Sequence, residues 1–290
     1  MPPKVRPLLL RVRRYRWSFE DVCDRDWFAR SPAISRWFDV YTLMVPDNEA
    51  FYIRTLTPCI ESITDEAIRT ELRNFFRQES LHGVAHRAYW VRMQELGVEY
   101  ASYLKFMNWL VYSVLEPAQP HRLRVSIVAA IEHINACLGH VVLKRDLMRS
   151  AHSRLRELFY WHFAEEIEHK AVAHRTLATC YPGYATRIVG ALVAFPAFYF
   201  LSFFGMIYLL WREKSLFRLT TVSDLFQFWV RDGVLRDTLS HLARYFRISF
   251  EPWDENDFYL IDKVISERGL IPDQGGVSQK WTQETGQGRK

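Results

Sequence analysis

Twice in this chain the pattern Glu-x-x-His falls on the apolar stripe of a helix. RQESLHGVAH carries Glu79 and His82, and FAEEIEHKAVAH carries Glu166 and His169. Each helical residue advances about 100°, so positions three and four apart share a face. Glu79 and His82 then share a stripe with Leu72, Phe75, Trp90 and Met93. Glu166 and His169 share one with Leu155, Phe159, Ala173 and Leu177. One match alone is close to chance, since 19 glutamates and 10 histidines in 290 residues give about 0.7 expected. The setting carries the information, because both copies sit where a helix is about to bury its side chains.

Each copy also follows a lone glutamate on an earlier helix. Glu49 heads a stripe of Ile53, Leu56, Ile60 and Ile63, and Glu132 lies among Val125, Val128, Ala136, Gly139 and Leu143. Glu49 precedes Glu79 by 30 residues and Glu132 precedes Glu166 by 34, so two similar hairpins would aim four carboxylates and two imidazoles at one centre. An unpaired carboxylate in a low-dielectric core costs several kcal/mol or takes up a proton. Two divalent cations would neutralise the four negative charges. Oxygen-rich ligands with one imidazole per metal suit iron, with manganese as the alternative, better than structural zinc. The competing reading of the six residues is an ion-paired core cluster, and Glu49 also suits a solvated acid in a first helical turn.

The neighbours read as outer partners of that set. His86 and His162 lie one turn from the ligands, as donors to them or as core histidines. Glu165 lies at the stripe's margin, while Glu168 and His174 point sideways toward solvent. His121, His133, His140, His152 and His241 read as ordinary histidines. HGVAH has zincin spacing but lacks the glutamate after its first histidine, and no phosphate-binding glycine loop or nucleophile elbow is present.

The chain-wide pattern agrees with an all-α fold. From residue 46 to 182 it reads as two helical hairpins joined by a long connection, the plan of a four-helix bundle with a crossover. Helices are expected from about residue 47 to 63, from a cap at Thr64 or Asp65 to Gly97, over 99–116, over 121–149 and over 152–180, where Pro182-Gly183 stops the last. Residues 1–45 read as a basic N-terminal arm, KVRPLLLRVRRYRW included, solvated or touching anionic lipid, with no nucleic-acid recognition motif. Residues 183–214 contain IVGALVAFPAFYFLSFFGMIYLLW, 24 residues without a charge. That length suits a membrane-associated segment or a buried helix or hairpin. Residues 215–290 read as a helical region with the turn FEPWDEND and a disordered polar tail. Four scattered cysteines and no secretory leader suit a reducing compartment, the cytoplasm or the cytoplasmic face of an inner membrane.

The constellation resembles the ferritin-like di-iron carboxylate superfamily. More narrowly, VPDNEAFYI, FFRQESLHGVAHRAYW, IEHINA and WHFAEEIEHKAVAH are similar to a bacterial family catalogued as predicted metal-dependent hydrolases, over about residues 15–260. In that family the first motif has a Phe-Pro step and a glycine before the glutamate; here it is Val45-Pro46-Asp47-Asn48-Glu49. The resemblance implies metal ligation by Glu49, Glu79, His82, Glu132, Glu166 and His169.

Three activities fit. One is a di-iron enzyme that uses dioxygen and an electron donor to oxidise or desaturate a hydrophobic, lipid-like substrate, which the apolar stripes favour. Another is a hydrolase with a metal-activated bridging water. The third is a non-catalytic metal-binding bundle.

Overall fold

A computed structural model describes residues 10–268. Those residues are all-α, and their only β pairing is a single bridge between Phe28 and Ala151. In chain order the helices are α1 (Pro32–Leu56), α2 (Cys59–Ser62), α3 (Glu66–Glu95), α4 (Ala101–Asn108), α5 (His121–Lys144), α6 (Ser153–His169), α7 (Val172–Cys180), α8 (Tyr184–Arg212), α9 (Leu219–Phe226), α10 (Val234–Arg244) and α11 (Phe258–Arg268). Wider π-helical turns follow α4 at Trp109–Leu115 and α9 at Gln227–Arg231.

α1 starts well before the expected boundary at residue 45. Ser31 caps it by accepting a hydrogen bond from the Ile34 N–H, and Pro32 occupies the first turn, where its missing N–H costs nothing. Residues 32–45 are therefore buried helix, a correction to the arm expected over 1–45. Pro46 sits inside the helix and leaves the Thr42 carbonyl without its helical donor. The Trp90 indole N–H of α3 donates to that carbonyl at 3.1 Å, so the helix continues to Glu49.

α3 follows the sequence reading: Asp65 caps it through the N–H groups of Ala67 and Ile68, and Gly97 lies just past its end at φ +76°. Residues 96–120, with α4 and its π-helical turn, form the long connection to α5. The single helix expected over 121–149 ends at Lys144 and is followed by a short 3-10 turn. The one expected over 152–180 breaks after His169 and resumes at Val172.

α1 packs on α3 and α5 on α6, while α1 also meets α5 and α3 meets α6. The four helices that carry the candidate ligands thus enclose one interior. Close approach of α5 and α6 depends on Gly139, where an added Cβ would lie 2.8 Å from the Phe163 carbonyl oxygen. α8 is a single continuous helix lying along α5 and α1. Gly190 lets it touch Ser126, where a Cβ would stand 2.0 Å from the hydroxyl oxygen. Two helices are long and apolar enough to cross a membrane. The apolar window of α5 is 94% buried inside the protein and that of α8 only 44%. α10 and α11 close the other side against α5 and α6, and the polar tail expected after FEPWDEND lies outside the described residues.

Candidate metal centre

Glu49 comes from α1, Glu79 and His82 from α3, Glu132 from α5, and Glu166 and His169 from α6. All six are buried; Glu49 keeps 3% exposure and the others none. Their donor atoms form two overlapping groups, each with every donor atom within 4.8 Å of the others. Glu49, His82, His162 and Glu166 make the first; Glu79, His82, Glu166 and His169 make the second. His82 and Glu166 belong to both. Glu132 stands just outside, 3.0 Å from His169 Nδ1. His162, read from sequence as a neighbour, joins the first group directly.

Distances within the cluster are short, yet few are hydrogen bonds. His82 Nδ1 lies 3.2 Å from Glu49 and 3.8 Å from Glu79, and His169 Nε2 lies 3.4 Å from Glu79. These atoms face one another in directions that make no hydrogen bond. Both oxygens of Glu49, Glu79 and Glu166, one of Glu132, Nδ1 of His82 and Nε2 of His169 have no hydrogen-bond partner. Each of the six candidate ligands contributes at least one such atom. Buried polar atoms in folded proteins are as a rule paired, and leaving one unpaired costs about 1–3 kcal/mol. Nowhere else among the described residues do nine such atoms converge.

The electrostatics tell the same story. Burial, reinforced by the neighbouring carboxylates, pushes Glu49, Glu132 and Glu166 well above the usual carboxylate range. Burial alone would lower His82, but its contacts to Glu165, Glu49 and Glu79 outweigh that and raise it well above its ordinary value. His162 is pushed well below by burial and by the imidazoles of His82, His86 and His169, so it is neutral. Four carboxylates and neutral imidazoles, without a thiolate, form a donor set for hard or borderline divalent ions such as iron or manganese. Two of them would cancel the four negative charges.

A ring of partners holds the donors in place. Glu165 accepts from Trp161 Nε1 at 2.9 Å and from Arg13 at 3.0 Å, and meets His82 Nε2 at 3.0 Å. This fixes the ring so that Nδ1 faces the cluster. His86 contacts Thr42 at 3.2 Å and His162 at 3.4 Å. The Tyr41 hydroxyl reaches His162 Nε2 at 2.9 Å and Asn135 at 3.4 Å. Burial and the nearby carboxylates hold Tyr41 well above its ordinary pKa, so it keeps its proton.

Some sequence expectations are corrected here. Arg13 is not part of a solvated arm: it is 5% exposed and paired with Glu165 and Glu168. Glu168 is buried by that pairing and by Gln78, not solvated. His174 is half-buried against Phe250, where burial drives it down to about 4. His140, His241 and Glu255 also approach one another, at the mouth of a cavity of about 300 Å³. Glu255 there is paired with Arg244, and Lys170 binds Asp257 beside it, so cations already neutralise the acids. Sequence reasoning missed Arg13, Tyr41 and Asn135 as members of the site. Only the odd tyrosine and asparagine on otherwise apolar helix faces signalled the last two.

The model of a family described as predicted metal-dependent hydrolase matches residues 11–256. No curated protein and no solved structure matches the chain. The match runs from the arm that carries Arg13 through every helix of the buried centre, and the chain belongs to this family of predicted metal-dependent hydrolases.

Proposed function

We propose that this chain is a dinuclear metal-dependent hydrolase whose centre sits in a ferritin-like four-helix bundle of α1, α3, α5 and α6. Glu49, Glu79, His82, Glu132, Glu166 and His169 are the assigned ligands, with His162 a further donor. The observation that carries this is the concentration of nine partnerless buried atoms in those six converging residues. Bound there, a pair of divalent ions lowers the pKa of a shared water and polarises a carbonyl or phosphoryl oxygen.

The chain's own residues supply the rest. Glu165 and Arg13 orient His82, and interactions of this kind are worth about 10–100-fold in metal affinity or activity. Tyr41, Tyr52, Asn48 and Asn135 line a small space beside Glu49 and give it a polar wall. Both tyrosines are held protonated by burial and by the surrounding carboxylates. Tyr41 can therefore donate a hydrogen bond to an oxygen that gains negative charge. This wall supports hydrolysis over the other chemistries.

The purified protein is expected to carry about two metal ions per chain and to hydrolyse a p-nitrophenyl ester without oxygen. A protein with two metals and no ester or phosphoester turnover would remove the hydrolytic reading. Oxidation of a hydrophobic substrate by dioxygen, with an electron donor, is the second reading. The mostly aliphatic cavity nearby favours it. Oxygen uptake on adding ferrous iron decides between the two. The reading places the protein in a bacterial cytoplasm or at the cytoplasmic face of the inner membrane.

A further inference from the structure

We infer that the cavity enclosed by α1, α5, α8 and the π-helical turn after α4 binds an unbranched acyl chain, with Met44 and Phe198 as the gate to the metal centre. The inference rests on the proposed hydrolytic reading only for what happens to the chain's head; binding of the chain itself does not depend on it.

Two adjoining spaces carry the argument. The outer one holds about 90 Å³ and is walled by Phe51, Val111, Ile127, Ile131, Ala194 and Leu201. The inner one holds about 10 Å³ and ends on Glu49. Met44, Asn48 and Phe198 line both, so the spaces meet at those three side chains. A volume near 10 Å³ has room for about one water. The gate therefore admits water as it stands and a chain only when a side chain moves. Met44 is suited to move, having three rotatable bonds and a soft sulfur, and Pro46 removes a backbone hydrogen bond from the turn between Thr42 and Pro46 that contains it.

The wall chemistry limits the ligand. No cation lines the outer space, and its one acid, Glu116, is paired with Arg54. A nucleotide or phosphate would find no cation there to bind. The outer space takes only the head-side end of a narrow aliphatic chain, with an ester or carboxyl head against Tyr41, Asn48 and Asn135 at the inner end and the rest of the chain along the exposed apolar surface at the mouth. The π-helical turn gives the cavity one wall without burying any residue of its own, and such turns recur at functional sites.

The mouth opens beside exposed apolar surface. Leu115 and Val193, which line the cavity, are 42% and 38% exposed. Ring contacts run from Trp109 to Phe106, from Phe106 to Phe204 at 5.4 Å, and from Phe204 to Phe200, joining α4 to α8 in one exposed aromatic strip. Contiguous patches of this kind mark interaction sites. The chain could be delivered from a bilayer or as a monomer.

The test titrates the metal-loaded full chain with cis-parinaric acid, an eighteen-carbon fluorescent acyl probe. Saturable binding is expected. Ala197→Trp lies at an exposed position lining the mouth, so it closes the entrance without altering the core. It should weaken binding at least tenfold with metal content and helicity unchanged. It should also lower kcat/KM for a ten-carbon p-nitrophenyl ester at least tenfold. No saturable binding by the parent protein, or equal binding by the variant, overturns the inference. Binding lost in the variant with no ester turned over by either protein would uphold the chain site and sink the hydrolytic reading. Probe presented in phosphatidylcholine–phosphatidylglycerol vesicles identifies the donor: a transfer rate that rises with vesicle concentration means pickup from the bilayer, and an unchanging rate means pickup of the monomer.

Discussion

Helix α1 runs through two buried clusters of charge, and they are built on opposite plans. Near its start, Asp39 accepts from Trp27 Nε1 at 2.9 Å, Tyr89 at 3.1 Å and Arg36 at 2.6 Å. Arg36 also reaches Asp26 at 3.1 Å, the Arg25 carbonyl, and Glu213 at 3.5 Å. Acids and base neutralise one another, and almost every buried donor and acceptor is used; the Arg36 Nε–H donor and one Glu213 oxygen are the exceptions. Ten residues on, Glu49 enters a cluster of acids and imidazoles in which nine buried polar atoms have no hydrogen-bond partner. Both regions bury charge, Arg36 and Asp39 as fully as Glu79 and Glu166. Burial of charge alone is thus no sign of a metal, whereas a set of acids with too few internal donors is. The first cluster completes itself, and the second needs cations from outside.

The largest effect expected from this contrast is at Glu166, which belongs to both donor groups. Glu166→Ala should drop the metal content below one ion per chain and lower turnover by about three orders of magnitude, on the order of 4 kcal/mol. Full metal content in the variant, measured by plasma emission, would refute its assignment. Next come two charge deletions on α1 with opposite signs. Arg36→Met leaves Asp39, Asp26 and Glu213 buried without their cation and should cost about 3–5 kcal/mol. Glu49→Gln relieves a crowd of like charges and should stabilise the metal-free protein by about 1 kcal/mol. Urea unfolding in the presence of a chelator reads both. If the two changes destabilise alike, the two clusters do not differ as described. A smaller effect is expected at Glu165, which orients His82 through a hydrogen bond that an amide replaces poorly. Glu165→Gln should weaken metal affinity about 10–100-fold, seen as a shifted chelator-competition curve with unchanged stoichiometry.

How much of this was legible in the sequence follows from how local each signal is. Glu79, His82, Glu166 and His169 were readable because helical periodicity places residues three apart on one face. Glu49 and Glu132 were readable from their apolar neighbours. Arg13 was not, because its partners Glu165 and Glu168 lie about 150 residues away and nothing nearby distinguishes it from its arginine neighbours. Glu168 looked solvated for the same reason: helix geometry does turn it off the main stripe, and only the returning N-terminal segment covers it. The start of α1 was available in Ser31-Pro32, a cap followed by a first-turn proline. Pro46 concealed it, since a proline inside a helix argues for a boundary. The compensation, Trp90 donating to the Thr42 carbonyl, is tertiary and invisible in the sequence.

The smallest effect concerns how well even the completed cluster tolerates its charge. Burial raises Asp39 to about 6, although Arg36, Trp27 and Tyr89 each pull it down. Arg36, which burial alone would lower, is held above its usual value by Asp39 and Glu213, so at neutral pH both members of the pair are ionised. With a folded pKa above the unfolded one, the native state retains a proton between about pH 4 and 6 that the unfolded chain has lost. Stability from this group is therefore present below about pH 4 and is lost as pH rises to about 6. A shift of two units is formally worth about 3 kcal/mol, and relaxation around a buried charge reduces this to an order of 1 kcal/mol. The unfolding free energy of the parent protein minus that of Asp39→Asn should fall by that amount across the window and stay flat from pH 6.5 to 8. A difference that rises instead would mean that the guanidinium outweighs burial at Asp39. The first cluster would then be stabilised by its charges rather than merely neutralised by them.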